Sequence, residues 1–149
     1  MEISSPIGAL LTQKGPAVWS IAPGTTVFDA IQMMADKNVG ALPVMTGEQV
    51  LGMFSERDYT RKIALKGRSS RETLVSDVMT ASPLIVSADD SVDRCMRLMT
   101  QNRIRHLPVV ENGRLIGIVS IGDLVNWIIS AQSAAIDQLE KYISGTYPG

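Results

Sequence analysis

The chain is poor in cysteine, histidine and net charge, and each shortage closes off a class of function. A single cysteine, Cys95, excludes an internal disulfide and any zinc site built on several thiolates. One histidine, His106, and one cysteine offer no recognisable catalytic dyad, and no metal-ligand spacing or Walker loop can be read, so neither an enzyme nor a metal requirement is expected. A formal net charge of −1 argues against a protein whose main partner is a nucleic acid. No apolar run approaches the length of a bilayer span, and no basic-then-apolar segment opens the sequence. A cytoplasmic setting with no membrane partner is therefore expected.

What is present is a repeat. Gly52-Met53-Phe54-Ser55-Glu56-Arg57-Asp58 returns as Gly117-Ile118-Val119-Ser120-Ile121-Gly122-Asp123, with glycine, serine and aspartate each displaced by 65 residues. A constant offset held at three positions marks a duplicated unit. The 149 residues, 45% of them hydrophobic, are enough for two small units that share a core.

Taken in order, Ile7–Leu11 can start a short helix that Lys14-Gly15-Pro16 stops. Val18–Ile21 reads as a short strand. Thr26 is placed to cap a helix running to about Lys37, with Asp29 in its first turn. Ala41–Met45 and Val50–Ser55 read as paired strands around a Thr46-Gly47-Glu48 turn, followed by a helix to about Leu65. Residues 66–74, polar and without apolar period, read as a linker. The order then repeats: a strand at Leu84–Val86, a cap at Ser91, and a helix striped by Val92, Cys95, Met96 and Met99. His106–Val110 and Leu115–Ser120 form a hairpin through Asn112-Gly113, and a helix starts near Gly122. Its apolar pattern runs on through Ile136, Leu139 and Ile143 until Gly145. The boundaries expected are residues 1–65 and 75–131 for the two units, with 132–149 as a helical tail.

Val75-Ser76-Asp77-Val78-Met79-Thr80 leading into Ser82-Pro83, then Arg105-His106-Leu107-Pro108-Val109, then Gly117 to Asp123, together with Gly40–Val44 and Gly52–Asp58, resemble the tandem CBS-domain (Bateman) module over nearly the whole chain. The resemblance implies a mixed α/β fold of the α+β type, two strand–helix–strand–strand–helix units packed sheet to sheet with pseudo-two-fold symmetry. It also implies flat homodimers through helix faces and a regulatory nucleotide-sensing role, with another molecule or the chain's own assembly state as what is regulated. At the 65-residue offset, the first unit has Lys14-Gly15 where Met79-Thr80 would fall, a departure from the pattern.

A serine at a strand-to-helix junction sits beside amide hydrogens that have no partner inside the helix, a setting suited to phosphate. Asp58 and Asp123 suit a ribose diol better than a phosphate, and Arg57 can add a charged fork. Ser-x-x-Asp before an apolar run is equally a helix-capping arrangement that needs no ligand, and both roles can coexist. By resemblance, Arg103, Arg105 and His106 lie near phosphates on the strand lining the cleft, and serve one half while Arg57 serves the other; read alone, the arginines are equally solvated side chains and His106 a donor to a backbone carbonyl. Val39-Gly40-Ala41 and Ile104 with Leu107 would leave a slot for a base, with Lys14-Gly15-Pro16 and Thr80, Ser82 and Pro83 as the opposite lip. With Ser55 and Ser120 these residues form the expected binding set for AMP, ADP, ATP or NAD. The competing reading is an interaction and dimerisation protein whose sites are capping relics. The methionines Met33, Met34, Met45, Met53, Met96 and Met99 and the thiol of Cys95 read as core filling, and the Arg57–Arg71 cluster as a solvated linker.

Overall fold

In the computed structural model, which describes residues 4–143, both expected caps are made. Thr26 accepts the amide hydrogen of Asp29 at the start of α2 (Val27–Lys37), and Ser91 accepts that of Arg94 at the start of α4 (Val92–Asn102). Each helix ends on a left-handed residue, Asn38 with φ 55° and Arg103 with φ 54°. Asparagine tolerates that region better than arginine, so the second ending carries the more strained backbone. Each helix then leads into an antiparallel hairpin: β1 (Ala41–Thr46) with β2 (Gln49–Ser55), and β4 (His106–Glu111) with β5 (Arg114–Ser120). Positive φ at Asn112 and Gly113 gives the second hairpin its tight turn. Both hairpins slip register at the same place, Val44/Met45 and Val109/Val110. The repeat thus extends to local irregularities.

The strands expected at the head of each unit shrink to single bridges, Ile21 with Val44 and Val86 with Val109. Only those residues face a core, while Trp19, Leu84 and Ile85 turn outward, so nothing holds a longer ladder. A two-residue strand, β3 (Thr80–Ala81), instead adds to β2 at Met53 and Gly52. After Ser55 the chain turns through α3 (Glu56–Asp58) into a wider π turn, Tyr59–Ala64, that buries Ile63. The last helix, α5 (Ile121–Ile143), begins directly after β5. The stop expected at Gly145 lies outside the described residues.

The two cores exchange their opening segments. One core joins Val27, Ala30, Met34, Leu42, Val44, Phe54 and Ile63 to Val75 and Val78 from the second repeat. The other joins Val92, Cys95, Met99, Leu107, Val109, Val119 and Leu124 to Ile7 and Leu10 of α1 (Ile7–Lys14). Hydrogen bonds clamp each crossing: Val27 N–H to Thr73 O and Val75 N–H to Thr25 O on one side, Ile7 N–H to Asp90 O and Val92 N–H to Ser5 O on the other. The 66–74 segment is accordingly docked on α2, where Ser70 O accepts from Phe28 N–H and the Arg71 guanidinium lies 3.8 Å from the Phe28 ring centroid. The two halves pack sheet against sheet about a pseudo-two-fold axis, with Leu115 N–H donating to Glu48 O across the meeting line.

This exchange corrects the expected alignment of the first unit. The residue packed over Gly117 is Leu11, and the residue packed over Gly52 is Met79. Ile7, Leu10, Leu11 and Thr12 therefore correspond to Val75, Val78, Met79 and Thr80, each pair 68 residues apart. Lys14-Gly15 is not the counterpart of Met79-Thr80. Three extra residues between Thr12 and Thr26 shift the opening motif, which is present as Ile7–Thr12.

The two glycines should respond differently to a methyl group. A β-carbon at Gly52 would lie 2.7 Å from the Thr80 carbonyl oxygen and 2.6 Å from Met79 Sδ, whereas at Gly117 it meets only the flexible end of Leu11, at 2.7 Å. Backbone cannot yield as a leucine methyl can, so Gly52→Ala is expected to cost about 1–3 kcal/mol and Gly117→Ala clearly less. Urea denaturation of the two variants checks the order; equal losses would contradict it.

Candidate functional site

Ser55 ends β2 in an extended conformation, and Glu56 begins the helix. The capping arrangement is complete: Asp58 N–H donates to Ser55 Oγ at 3.2 Å, and Ser55 N–H donates to Asp58 Oδ2 at 2.9 Å. Asp58 Oδ1 faces the other way, 3.0 Å from Lys62 Nζ, with the Thr80 hydroxyl 3.4 Å off. Lys62 also donates to Val78 O at 2.8 Å. One carboxylate oxygen thus holds the turn, and the other faces the Lys62 ammonium and the Thr80 hydroxyl. Lys62 stands one helical turn after Asp58, which brings it to the same face.

Across from this junction runs the turn between α4 and β4. Arg57 Nη1 donates to the carbonyl of Arg103 at 2.6 Å, tying the first half to the strained residue of the second. Between them opens a cleft of about 1090 Å³. Its walls bring together Gly40, Ala41, Ser55, Arg57 and Asp58, then Thr80, Ser82 and Pro83, then Arg103, Ile104, Arg105 and His106. The division that gave Arg57 to one half and Arg103, Arg105 and His106 to the other is therefore corrected: the pseudo-symmetric packing points both groups into one cleft. A β-carbon at Gly40 would sit 3.5 Å from both His106 Cε1 and Glu56 Oε1, so glycine keeps this part of the wall open. Burial, reinforced by the Lys14 and Arg105 charges and opposed by Asp123, lowers the His106 pKa from 6.5. The imidazole is neutral at neutral pH, and the cleft owes its positive charge to arginine and lysine.

Two expected slot residues turn away. Leu107 is fully buried in the second core, because side chains alternate along β4 and His106 takes the cleft side; Val39 packs on the first core. Glu56, Thr60, Arg61, Lys62, Leu84 and Asn102, none of them in the expected binding set, also line the cleft, and Met53, expected in the core, lines this wall as well. Arg61 and Lys62 belong to the cluster expected to be solvated, but their spacing of four from Arg57 and Asp58 puts them on the cleft face.

The second junction is built alike but closed differently. Asp123 N–H donates to Ser120 Oγ at 3.0 Å and Ser120 N–H to Asp123 Oδ2 at 2.9 Å. Lys14 reaches over from the end of α1, 2.7 Å from Asp123 Oδ2, and also donates to Ile118 O at 2.8 Å. Lys14, Gly15 and Pro16 therefore stand beside Asp123, away from the Asp58 cleft, and Gly15 and Pro16 edge a smaller, mainly apolar hollow near Leu11 and Ile116. Burial alone would raise the Asp123 pKa, but the Lys14 ammonium and the Ser120 bonds hold it below the usual 3.8. A carboxylate with a depressed folded pKa stabilises the fold above its unfolded pKa and loses that contribution as pH falls through the folded value. The melting-temperature gap between wild type and Asp123→Asn should thus be steady above about pH 5 and close below the ordinary carboxylate range. A gap that widens on acidification would contradict the ion pair.

Cys95 is fully buried, and burial first, then the Asp90 charge, pushes its thiol up to about 11, which makes it inert core. Among the described residues no helix is long and apolar enough to cross a membrane.

Comparison with known proteins follows the same division. The CBS domain model matches residues 14–65 and again 75–130. The mitochondrial CBS domain-containing protein CBSX3 of Arabidopsis thaliana is 46% identical over 127 residues, which cover 82% of this chain and 62% of that protein. The chain thus spans under two thirds of that relative's length. A solved CBS-domain protein of Burkholderia ambifaria, described as a putative signal-transduction protein, superposes with TM-score 0.80 at 43% identity, covering 88% of this chain and 96% of the other. CBSX2, solved in complex with AMP, superposes with TM-score 0.71 at 29% identity over 85% of this chain and 98% of its own.

Proposed function

This chain belongs to the CBS-domain family as a tandem pair, and from that premise we propose that it is a regulatory sensor that takes an adenine nucleotide into the Asp58 cleft. The observation that carries the reading is the convergence of the Asp58 carboxylate with the cations Arg57, Arg61, Lys62, Arg103 and Arg105 around a single opening. AMP in the CBSX2 structure supports the ligand class. Ribose hydroxyls would donate to Asp58 Oδ1 in place of Lys62 and Thr80. Lys62, released, could then join the arginines at phosphate, a charge-assisted contact stronger than a neutral one. Ala41 and Ile104, with Gly40, border the space for the base. No step of bond making is proposed, and the signal would pass to another protein or to the assembly state of a homodimer in a cytoplasmic setting.

One observation favours the alternative of an interaction and dimerisation protein: both aspartates are fully engaged within the protein, by caps and by lysines. Calorimetric titration with AMP, ADP, ATP and NAD separates the two. At least one should bind at one site per chain and be recovered unchanged; no heat from any of the four at millimolar ligand would favour the alternative.

A further inference from the structure

The last apolar side chain of α5 packed on the core is Ala131, yet the helix continues to Ile143. A dozen residues of helix whose apolar side chains do not reach the core are marginal in water, so the apolar stripe calls for cover. Its apolar residues do not scatter. Val125, Ile129, Ile136, Leu139 and Ile143 are exposed, the last by 75%, and they fall at alternating intervals of four and three once Gln132 is included. That is the seam of a left-handed coiled coil, with Ile129, Ile136 and Ile143 in one core position and Val125, Gln132 and Leu139 in the other; isoleucine in the first with leucine in the second favours two parallel strands. The Asp137–Lys141 ion pair lies on the outer face, and Glu140 is the only charge flanking the seam. At 1.5 Å per residue the seam from Val125 to Ile143 is about 27 Å long.

We infer that this outer part of α5 pairs with the same helix of a second copy, parallel and in register at Gln132. Gln132 selects the occupant. Against a foreign apolar groove its amide would be buried without partners. Opposite its own twin, one amide donates while the other accepts, and only the parallel, in-register arrangement sets the two side by side. Two such stripes together bury roughly 1,000 Å², the size at which a specific contact holds. The inference is independent of the nucleotide cleft.

Cross-linking tests it in the full-length protein, whose own Cys95 is buried. Ile129→Cys and Leu139→Cys, each alone under mild oxidation, should convert most of the chain to a reducible species of doubled mass, while Asp137→Cys on the outer face stays single. Failure of both seam variants to cross-link would overturn the inference, as would equal cross-linking of Asp137→Cys. Cross-linking only in an Ile129→Cys/Leu139→Cys mixture would show antiparallel helices and also overturn it. A dimer of unchanged mass without seam cross-links would place pairing on other helix faces and reject the seam. Ile136→Asp with Leu139→Asp should abolish seam contact yet leave the melting temperature of the domain pair within a few degrees.

Discussion

Phe54→Ala is expected to lose about 3–5 kcal/mol of stability, a large share of the roughly 5–15 kcal/mol available to a domain of this size. Phe54 is among the largest fully buried side chains, pairs with Leu42 across the hairpin, and lies in the core that Val75 and Val78 complete from the other repeat. Truncation leaves a cavity that Met34 and Ile63 can fill only in part. The crossing segments make a second expectation. Trp19, with the Lys37 ammonium 4.1 Å from its ring centroid, reports on the first half, and Trp127, packed on the second core, reports on the other. Each core contains a piece of the opposite repeat, so urea melts of single-tryptophan versions should shift together in the Phe54→Ala background. A shift confined to the Trp19 probe would mean that the halves unfold independently, against the exchanged packing.

Asp58→Ala should weaken AMP binding by about 1.5–3 kcal/mol, the worth of a hydrogen bond to a charged group. That corresponds to roughly a tenfold to hundredfold rise in Kd. Asp123→Ala, whose carboxylate is held by Lys14 and does not line this cleft, should change the same Kd less than about twofold. Because Asp58 also caps the helix, Asp58→Asn is the companion variant: it keeps an acceptor for the Ser55 amide while removing the charge. Calorimetry with AMP on all three checks the ranking. A wild-type Kd in Asp58→Ala would leave the carboxylate as a cap alone.

Much of this architecture is legible in the chain because local chemistry decides it. Thr26 and Ser91 cap where side-chain oxygens must meet free amides, and Asn112-Gly113 turns where positive φ is required. The repeat of Ser55 and Asp58 in Ser120 and Asp123 foretold both reciprocal caps. What the chain concealed depends on tertiary placement. A fixed 65-residue offset misaligned Ile7–Thr12 with its partner, since spacing alone cannot show a three-residue insertion when leucines replace Val78 and Met79. Arg57 and Arg103 meet only because the halves pack face to face, a contact between residues 46 positions apart that no local pattern encodes. Likewise, Lys62 and Lys14 reach equivalent aspartates from opposite directions, one from the following helix and one from a crossing segment.

The most direct measurement is a crystal structure of the protein grown with millimolar AMP. The expected density places ribose hydroxyls within hydrogen-bond distance of Asp58 Oδ1, with Lys62 displaced and the phosphate facing Arg57 and the Arg103–Arg105 turn. A cleft without nucleotide, Lys62 still on Asp58, or AMP bound elsewhere on the molecule would contradict the assignment of this cleft.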